Sequence, residues 1–209
     1  MIDLGCFSEL LLQGNAPGVV ETVRQALDEG MAAEVVVNRG LIPAMDQVGA
    51  KFKTNEIFVP EVMLAARAMQ EGLKILKPIL AEAKVEPIAT VVIGTVKGDH
   101  HDIGKNLVAM MMEGAGFRVV DLGTDVSPER FFDAARAHNA QQVAMSALLT
   151  TTMPMMQKTI EHFAAQGMRE KVRFMVGGAP VSQAFADKIG ADGYSSDASS
   201  AVDLAKSFL

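Results

Sequence analysis

Apolar residues recur at a helical spacing in the first part of the chain. The longest such segment begins at Pro60, and its apolar face consists of Val62, Ala66, Met69, Leu73, Leu76 and Leu80. Shorter segments of the same kind cover residues 4–12, 17–30, 31–37 and 43–52, with Asn15 as a helix cap and a polar turn at 54–56. Strand-like alternation is absent before residue 88. The pattern therefore predicts a bundle of about four or five helices.

The pattern changes after a short charged step at residues 84–87, which contains Pro87. Apolar runs typical of buried strands cover residues 88–96, 117–122, 142–146, 172–176 and, more weakly, 193–195. Helical segments lie between and after them, at 104–115, 128–137, 153–166, 181–188 and 198–208. Strict alternation of strand and helix predicts a five-stranded parallel sheet with right-handed crossovers. We therefore expect an α/β protein with an all-α domain at 1–86 and a flavodoxin-like (Rossmann-like) domain at 87–209, in strand order 2-1-3-4-5.

Composition and charge exclude several classes of function. The 209 residues carry a formal net charge of −6 without a basic stripe, which argues against a nucleic-acid partner. Apolar runs of membrane-spanning length and a signal peptide are both absent, so the sequence predicts a cytoplasmic protein without a membrane partner. A single cysteine, Cys6, excludes an internal disulfide and any multi-cysteine metal site.

The loop at residues 98–106, GDHHDIGKN, is the leading candidate for chemistry. It follows a predicted buried strand, and open α/β sheets bind their ligands at the carboxyl ends of strands. Asp99, His100, His101 and Asp102 lie within four consecutive positions. Imidazoles beside carboxylates indicate a ligand site or a proton-transfer site.

Three further loops should open on the same sheet edge, at residues 123–126, 146–152 and 177–180. Their small side chains, hydroxyls and bare backbone suit a large ligand that is hydrogen-bonded along its length. Each feature alone also has an ordinary structural explanation. The pair Gly177-Gly178 is by itself more typical of a simple turn, and the hydroxyls of Ser146 and Thr150 could merely cap a helix.

The combination is more specific than its parts. The spacing Asp99-x-His101-x-x-Gly104, then Ser146-x-Leu148, then Gly177-Gly178 resembles the signature of cobalamin-binding proteins that place a histidine on cobalt, as in the cobalamin-binding module of methionine synthase. The segment FKTNEIFVPEVMLAA at 52–66 is similar to the helical cap domain of the methyl-carrier branch of that family. The resemblance covers nearly the whole chain.

The resemblance implies a role for each matching residue. His101 would be the lower axial ligand of cobalt, Asp99 would bind its other ring nitrogen, and Ser146 would extend that relay. The remaining cofactor-binding positions would contact the cofactor loop or line a slot for its nucleotide tail: Asp102, Ile103, Gly104, Leu148, Thr150, Gly177, Gly178, Ala179 and Tyr194. His100 receives no role. Phe58, Val59 and Met63 would cover the upper face of the cofactor, although Val59 could equally belong to an ordinary helix start.

The implied function is that of a corrinoid methyl carrier using cobalamin. Cob(I)alamin would accept a methyl group from a donor on a substrate-specific methyltransferase, and the resulting methylcobalamin would give it to a second methyltransferase acting on tetrahydrofolate or a thiol coenzyme. A reductive activator protein would be a further partner. The chain would be a shuttle subunit that does not catalyse alone. The donor stays open among methylated amines, betaines, methanol, methylated thiols and methoxylated aromatics.

Three other functions remain possible at this point. The same loop would serve the small subunit of an adenosylcobalamin-dependent mutase, but those subunits generally lack a helical domain in front. A cobalamin-sensing regulator would usually bring a basic DNA-binding helix, which is missing here. A flavodoxin-like interaction module without a ligand is the last alternative.

Overall fold

The computed structural model describes residues 2–83 and 85–209, so Lys84 of the predicted interdomain step lies outside the described residues. The chain forms two compact units. The first comprises Met1–Pro87 together with Glu113–Gly116, and the second comprises Ile88–Met112 together with Phe117–Leu209. Each unit is described by itself.

The first unit is helical, and within its described residues no strand is present. Its elements are α1 (Cys6–Leu12), α2 (Ala16–Asp28), α3 (Ala33–Val36), a π-helical segment (Val37–Leu41), α4 (Ile42–Lys53) and α5 (Val59–Glu82). Asn15 caps α2 as predicted, because its side chain accepts a hydrogen bond from the Gly18 amide at 3.0 Å. The predicted helical bundle is confirmed.

Helix α5 is the centre of this bundle and packs on all four other helices. Its buried face includes Val62, Met69 and Leu76, which are three of the positions that the periodicity predicts. At Gly72 the helix has no side chain, and an added Cβ would lie 2.9 Å from the Val19 side chain of α2. The glycine therefore allows α2 and α5 to pack at close range.

The π-helical segment differs from the prediction, which has separate helical segments at 31–37 and 43–52. In the structure α3 continues through Val37–Leu41 into α4 without a loop. Gly40 lies inside the π-helical turn, where an added Cβ would be 2.8 Å from the ring of Phe7. Glycine is needed here for packing against a fully buried aromatic ring, not for ending a helix.

The second unit is a five-stranded parallel sheet in the order β2-β1-β3-β4-β5, as predicted. Its strands are β1 (Thr90–Thr95), β2 (Arg118–Asp121), β3 (Gln142–Ser146), β4 (Arg173–Gly177) and β5 (Gly193–Ser195). Its helices are α6 (Ile103–Gly114), α7 (Pro128–Ala137), α8 (Pro154–Ala165), α9 (Gln183–Ile189) and α10 (Ala198–Ser207), with a short 3₁₀ turn at Arg169–Lys171. The α/β fold predicted for this part of the chain is confirmed.

The core of the sheet unit is aliphatic, with a small aromatic cluster on one side. Every residue of β1 is buried, as expected for a strand covered on both faces. Phe163 makes edge-to-face contacts with Phe132 and Phe174 at centroid distances of 5.3 and 4.9 Å. This core fixes the strand ends from which the candidate loops leave.

None of the described helices combines the length and the apolar composition that a membrane span requires.

We expect Gly94→Ala to destabilise the sheet unit. An added Cβ at Gly94 would lie 2.9 Å from the Phe131 ring and 3.0 Å from the Val126 side chain, so the core would be overpacked by one methyl group. The free energy of unfolding should fall by about 1–3 kcal/mol, measured by urea unfolding followed by circular dichroism.

Gly104→Ala is the matched control, since its Cβ would meet no atom within 4 Å. Equal unfolding free energies for the two variants would contradict this account of the core.

Candidate functional site

Four strand ends lie side by side at the carboxyl edge of the sheet. Thr95 pairs with Ser146, Ser146 with Gly177, and Gly177 with Ser195. The loops after β1, β3, β4 and β5 therefore leave the sheet from one row. The structure thus brings the predicted residues of the three motifs to one edge.

The centre of this edge is the carboxylate of Asp99, which is completely buried. Its Oδ1 accepts hydrogen bonds from the backbone amide and the ring Nδ1 of His101, at 3.1 and 2.7 Å. Its Oδ2 accepts from the amides of Leu148 and Leu149 and from the hydroxyl of Thr152, at 2.8, 3.1 and 2.8 Å. Asp99 therefore joins the loop after β1 to the loop after β3.

These hydrogen bonds also decide the charge of Asp99. Burial alone would raise the pKa of this carboxyl, because it penalises the charged form. The hydrogen bonds from the His101 ring, the Leu148 amide, the Thr152 hydroxyl and the His101 amide outweigh burial and hold the pKa of Asp99 well below its ordinary value. Asp99 is therefore an anion at neutral pH.

The His101 side chain is 51% exposed, in contrast to the buried carboxylate that it contacts. Because the ionised Asp99 carboxylate can only accept, Nδ1 of His101 donates the hydrogen of this bond, and in the corresponding neutral tautomer the lone pair is at Nε2. No hydrogen bond to Nε2 comes from any of the residues that the structure describes. The arrangement presents one oriented imidazole nitrogen at the surface, which is the form that ligates a metal.

The relay differs from the prediction in one residue. The hydroxyl bound to Asp99 is that of Thr152, whereas Ser146 makes no side-chain hydrogen bond within the described part of the chain. Ser146 ends β3 in register with its neighbours, while the chain beyond Ala147 turns so that Leu148, Leu149 and Thr152 converge on the carboxylate. Thr152 is the last of three consecutive threonines. No pattern in the sequence shows which of the three hydroxyls contacts Asp99.

Three glycines of the predicted motifs meet different surroundings. An added Cβ at Gly104, in the first turn of α6, would meet nothing within 4 Å. Gly178 has φ +125°, and a Cβ there would overlap the carbonyl oxygen of Ala147. A Cβ at Gly177 would lie 3.2 Å from the Ser195 carbonyl oxygen. Gly178 is therefore required by the backbone itself, whereas Gly104 keeps the space beside α6 open.

The rim of the site is partly apolar. Ile103, Leu148 and Leu149 are 74%, 44% and 42% exposed, which is unusual for large apolar side chains. Thr150 and Ala179 are exposed beside them, and Tyr194 is half-buried against the aliphatic core. Leu149 was not among the predicted residues. Such a rim suits a large ligand with an apolar face.

Asp102 and His100 are exposed and lie outside the Asp99 cluster. The Asp102 carboxylate accepts a hydrogen bond from the Asn106 side-chain amide at 3.1 Å. The adjacent Lys105 is buried and pairs with Asp121 at the end of β2. These contacts fix the start of α6. His100 takes part in none of them and has no hydrogen bond to the residues that the structure describes.

In the helical unit, the predicted cap residues lie at the start of α5. Phe58 precedes the helix and is 60% exposed, and Val59 and Met63 are 37% and 43% exposed. Leu64, which was not predicted, is 53% exposed. The Glu61 side chain accepts a hydrogen bond from the Phe58 amide at 2.8 Å, so this end of the helix is fixed although its apolar side chains are exposed.

The few side chains available as metal ligands fit a metal that a cofactor already coordinates in part. No group of three or more His, Cys, Asp or Glu side chains within the described ranges could hold a metal ion. One imidazole with a free nitrogen, a partly apolar rim and an open space beside Gly104 instead suit a macrocyclic metal cofactor with a tail.

Comparison with known proteins points to a cofactor of this kind. Residues 89–203 match a family model described as B12 binding domain, and residues 7–77 match a second model with the same description. Dimethylamine corrinoid protein 1 of Methanosarcina mazei is 44% identical over 203 residues, which cover 97% of this chain and 94% of the relative.

Two solved structures are also similar. A cobalamin-binding protein from Desulfitobacterium hafniense is 29% identical, covers 100% of both chains and has a TM-score of 0.83. A chain of the methanol:cobalamin methyltransferase complex from Methanosarcina barkeri is 31% identical, with a TM-score of 0.86, over 96% of this chain and 77% of that one.

We expect Asp99→Asn to destabilise the protein in a pH-dependent way. The side-chain amide would place a donor where Oδ2 accepts three hydrogen bonds, so the free energy of unfolding should fall by roughly 2–4 kcal/mol at pH 7. The folded-state pKa of Asp99 is depressed, so its contribution is complete above the unfolded value of about 3.9 and declines as the pH falls below it. The difference in unfolding free energy between wild type and variant, measured by urea unfolding, should therefore become smaller below about pH 4.

Asp133→Asn is the control, because Asp133 is an exposed carboxylate whose ion pair with Arg136 is 3.3 Å long. If the difference in unfolding free energy between wild type and Asp99→Asn stayed constant from neutral to acid pH, the hydrogen bonds to Asp99 would not be stabilising its charge.

The open space beside Gly104 gives a second prediction. Gly104→Leu should leave the unfolding free energy of the cofactor-free protein within about 1 kcal/mol of wild type. It should weaken cobalamin binding by roughly tenfold or more, because the side chain fills space that the cofactor would use. Equilibrium dialysis against cobalamin measures this.

Ala164→Leu places the same side chain at an exposed position of α8 and should bind cobalamin like wild type. Equal affinity of both variants would mean that the cofactor does not pass Gly104.

Proposed function

We propose, because the chain belongs to the family of B12-binding corrinoid proteins, that it carries methyl groups from one methyltransferase to another. The observation that carries the proposal is the half-exposed His101 imidazole, whose Nδ1 is held 2.7 Å from a fully buried carboxylate. That arrangement would supply a single nitrogen ligand to a bound metal. Bound cobalamin supplies a cobalt centre that can accept a methyl group and give it up.

In this proposal the residues of the sheet unit hold the cofactor from below. His101 would bind cobalt through Nε2, and the Asp99 anion would keep the proton at Nδ1 and so orient the ring. Ile103, Leu148 and Leu149 would contact the corrin ring. Gly104, Ser146, Gly177 and Gly178 would line the path of the nucleotide tail, with Asp102, Thr150, Ala179 and Tyr194 nearby.

The Thr152 hydroxyl can hydrogen-bond to Asp99 in either charge state of the carboxyl. Its hydroxyl has one hydrogen and two acceptors, Oδ2 of Asp99 and the Leu149 carbonyl, each at 2.8 Å. While Asp99 is ionised, the hydroxyl donates to the charged acceptor. If Asp99 were protonated at Oδ2, the hydroxyl oxygen would accept a hydrogen bond from that O–H and donate its own hydrogen to the Leu149 carbonyl. Thr152 is therefore compatible with both charge states of Asp99. It would also be compatible with a strong or a weak bond from His101 to cobalt.

Exposed apolar side chains at the start of α5 would shield the cobalt from water. We assign this role to Phe58, Val59 and Met63, and add Leu64, because all four are large apolar side chains left exposed at one end of α5. Exposed apolar groups that cluster in this way typically belong to a binding surface. They would exclude water from the cobalt until a partner enzyme displaces them.

For the partners, we propose a methyltransferase specific for a methylated amine, a second methyltransferase acting on tetrahydrofolate or a thiol coenzyme, and a reductive activator. The amine is preferred because the relative with 44% identity is named a dimethylamine corrinoid protein. The methanol:cobalamin methyltransferase complex supports a carrier of this design working with a separate methyltransferase. Low-valent cobalt needs a reducing compartment, so the proposal places the protein in the cytoplasm.

The direct test compares His101→Ala with His100→Ala. Both variants and the wild type are loaded with cobalamin, and the absorbance spectrum is recorded at neutral pH. His101→Ala should lose the spectrum of a histidine-ligated cobalt, while the neighbouring exposed His100 should be replaceable without effect. A His101→Ala spectrum identical to that of wild type would refute the proposed ligand.

The donor is tested by reconstitution. Wild-type protein in the reduced, cobalamin-loaded form is mixed with a dimethylamine, a monomethylamine or a methanol methyltransferase, each with its own substrate. Methylation of the cofactor should be fastest, by at least roughly tenfold, with one of the two methylamine enzymes. Faster methylation with the methanol enzyme would overturn the choice of donor and keep the carrier function.

A further inference from the structure

We propose that Thr95 and Asp125, which belong to none of the motifs, are positioning residues for His101. They hold the backbone of residues 98–101 from the end of β1 and from the loop that follows β2. The inference rests on the proposed role of His101 as the cobalt ligand.

Thr95 is the last residue of β1 and is completely buried. Its hydroxyl donates a hydrogen bond of 2.8 Å to the carbonyl oxygen of His101. Its own amide donates to the carbonyl of Gly123 at 2.9 Å. A buried hydroxyl at the end of β1 therefore fixes the backbone of the proposed ligand residue itself.

Asp125 holds the start of the same loop by two hydrogen bonds. Its Oδ1 accepts from the Gly98 amide at 2.7 Å, and its own amide donates to the Asp99 carbonyl at 3.0 Å. Asp125 has φ +54°, a left-handed conformation that aspartate adopts more readily than most residues. The next residue, Val126, bridges to Val96, so Asp125 is anchored to the sheet beside the loop.

These contacts do something that the Asp99–His101 hydrogen bond cannot do. Asp99 and His101 lie in the same loop, so their bond orients the ring relative to the loop but not relative to the sheet. The hydrogen bonds to Oδ2 hold the Asp99 side chain against the loop after β3, and its amide donates to the Val96 carbonyl at 3.1 Å at the start of the loop. Thr95 and Asp125 fix the backbone carbonyls and amide of the loop, and hence the point from which the imidazole projects.

Two variants remove these contacts, and two conservative variants keep them. Thr95→Val deletes the hydroxyl at nearly constant shape, and Thr95→Ser retains it. Asp125→Gly deletes the acceptor but allows the positive φ, and Asp125→Asn retains both the acceptor and the tolerance of this conformation. Asn139→Gly is the matched control, because Asn139 also has a positive φ, +49°, and lies between α7 and β3, away from the loop.

The experiment has two readouts. The first is amide hydrogen exchange of residues 98–103 in the cofactor-free protein. The second is the ratio of histidine-ligated to unligated cobalt, from the absorbance spectrum of cobalamin-loaded protein. Thr95→Val and Asp125→Gly should increase the exchange rate and shift the ratio toward unligated cobalt by about three- to tenfold, the effect of one net hydrogen bond. Thr95→Ser, Asp125→Asn and Asn139→Gly should behave like wild type in both.

The outcomes separate this inference from the proposed function. Unchanged exchange and an unchanged ratio in Thr95→Val and Asp125→Gly would overturn the inference. Faster exchange with an unchanged ratio would also overturn it, since the contacts would then be merely structural. If wild type and His101→Ala give the same spectrum, the proposed ligand is wrong, and with it the positioning role.

Discussion

The hydrogen bonding of one buried carboxylate is the interaction on which the rest of the site depends. A carboxylate placed out of water costs several kcal/mol unless donors replace the lost hydration, and Asp99 has five hydrogen bonds to do so. Those donors come from two loops that are about fifty residues apart in the chain. Ionised Asp99 therefore requires the loops after β1 and β3 to adopt one arrangement, and in return it determines which nitrogen of His101 carries the proton.

The topology of the sheet explains why this meeting point lies where it does. In the order β2-β1-β3-β4-β5, the chain goes from β1 to β2 in one direction across the sheet and from β3 to β4 in the opposite direction. The loops after the adjacent strands β1 and β3 therefore lead away from each other. Such a switch point opens a crevice at the carboxyl edge. Asp99 crosses that crevice at its base, and the exposed imidazole and apolar rim stand above it. Thr95 and Asp125 hold the same loop from the β1 and β2 side.

The sequence was sufficient for the fold and for the centre of the site. The alternation of buried strands with amphipathic helices predicts the sheet order, and the resemblance to the cobalamin-binding signature implies the Asp99–His101 hydrogen bond, which the structure contains. It was not sufficient for the hydroxyl of the relay, because the turn after Ala147 decides whether Ser146 or Thr152 reaches Asp99, and hydrophobic periodicity does not describe turns. Asp125 and the π-helical segment were missed for a similar reason: a left-handed aspartate and a glycine packed against Phe7 are set by tertiary contacts. A pair of glycines in the sequence likewise did not distinguish Gly178, which the backbone requires, from Gly177.

The central claim is that a protein histidine, and not the cofactor's own base, is the axial nitrogen ligand. The most direct measurement is the electron paramagnetic resonance spectrum of the Co(II) form, with protein labelled throughout by the heavy nitrogen isotope and cobalamin left unlabelled. The nuclear spins of the two isotopes differ, so each line is split into a doublet by a heavy nitrogen and into a triplet by an ordinary one. The account predicts doublets, from Nε2 of His101. Triplets would show that the cofactor's own base is the ligand, and would contradict it.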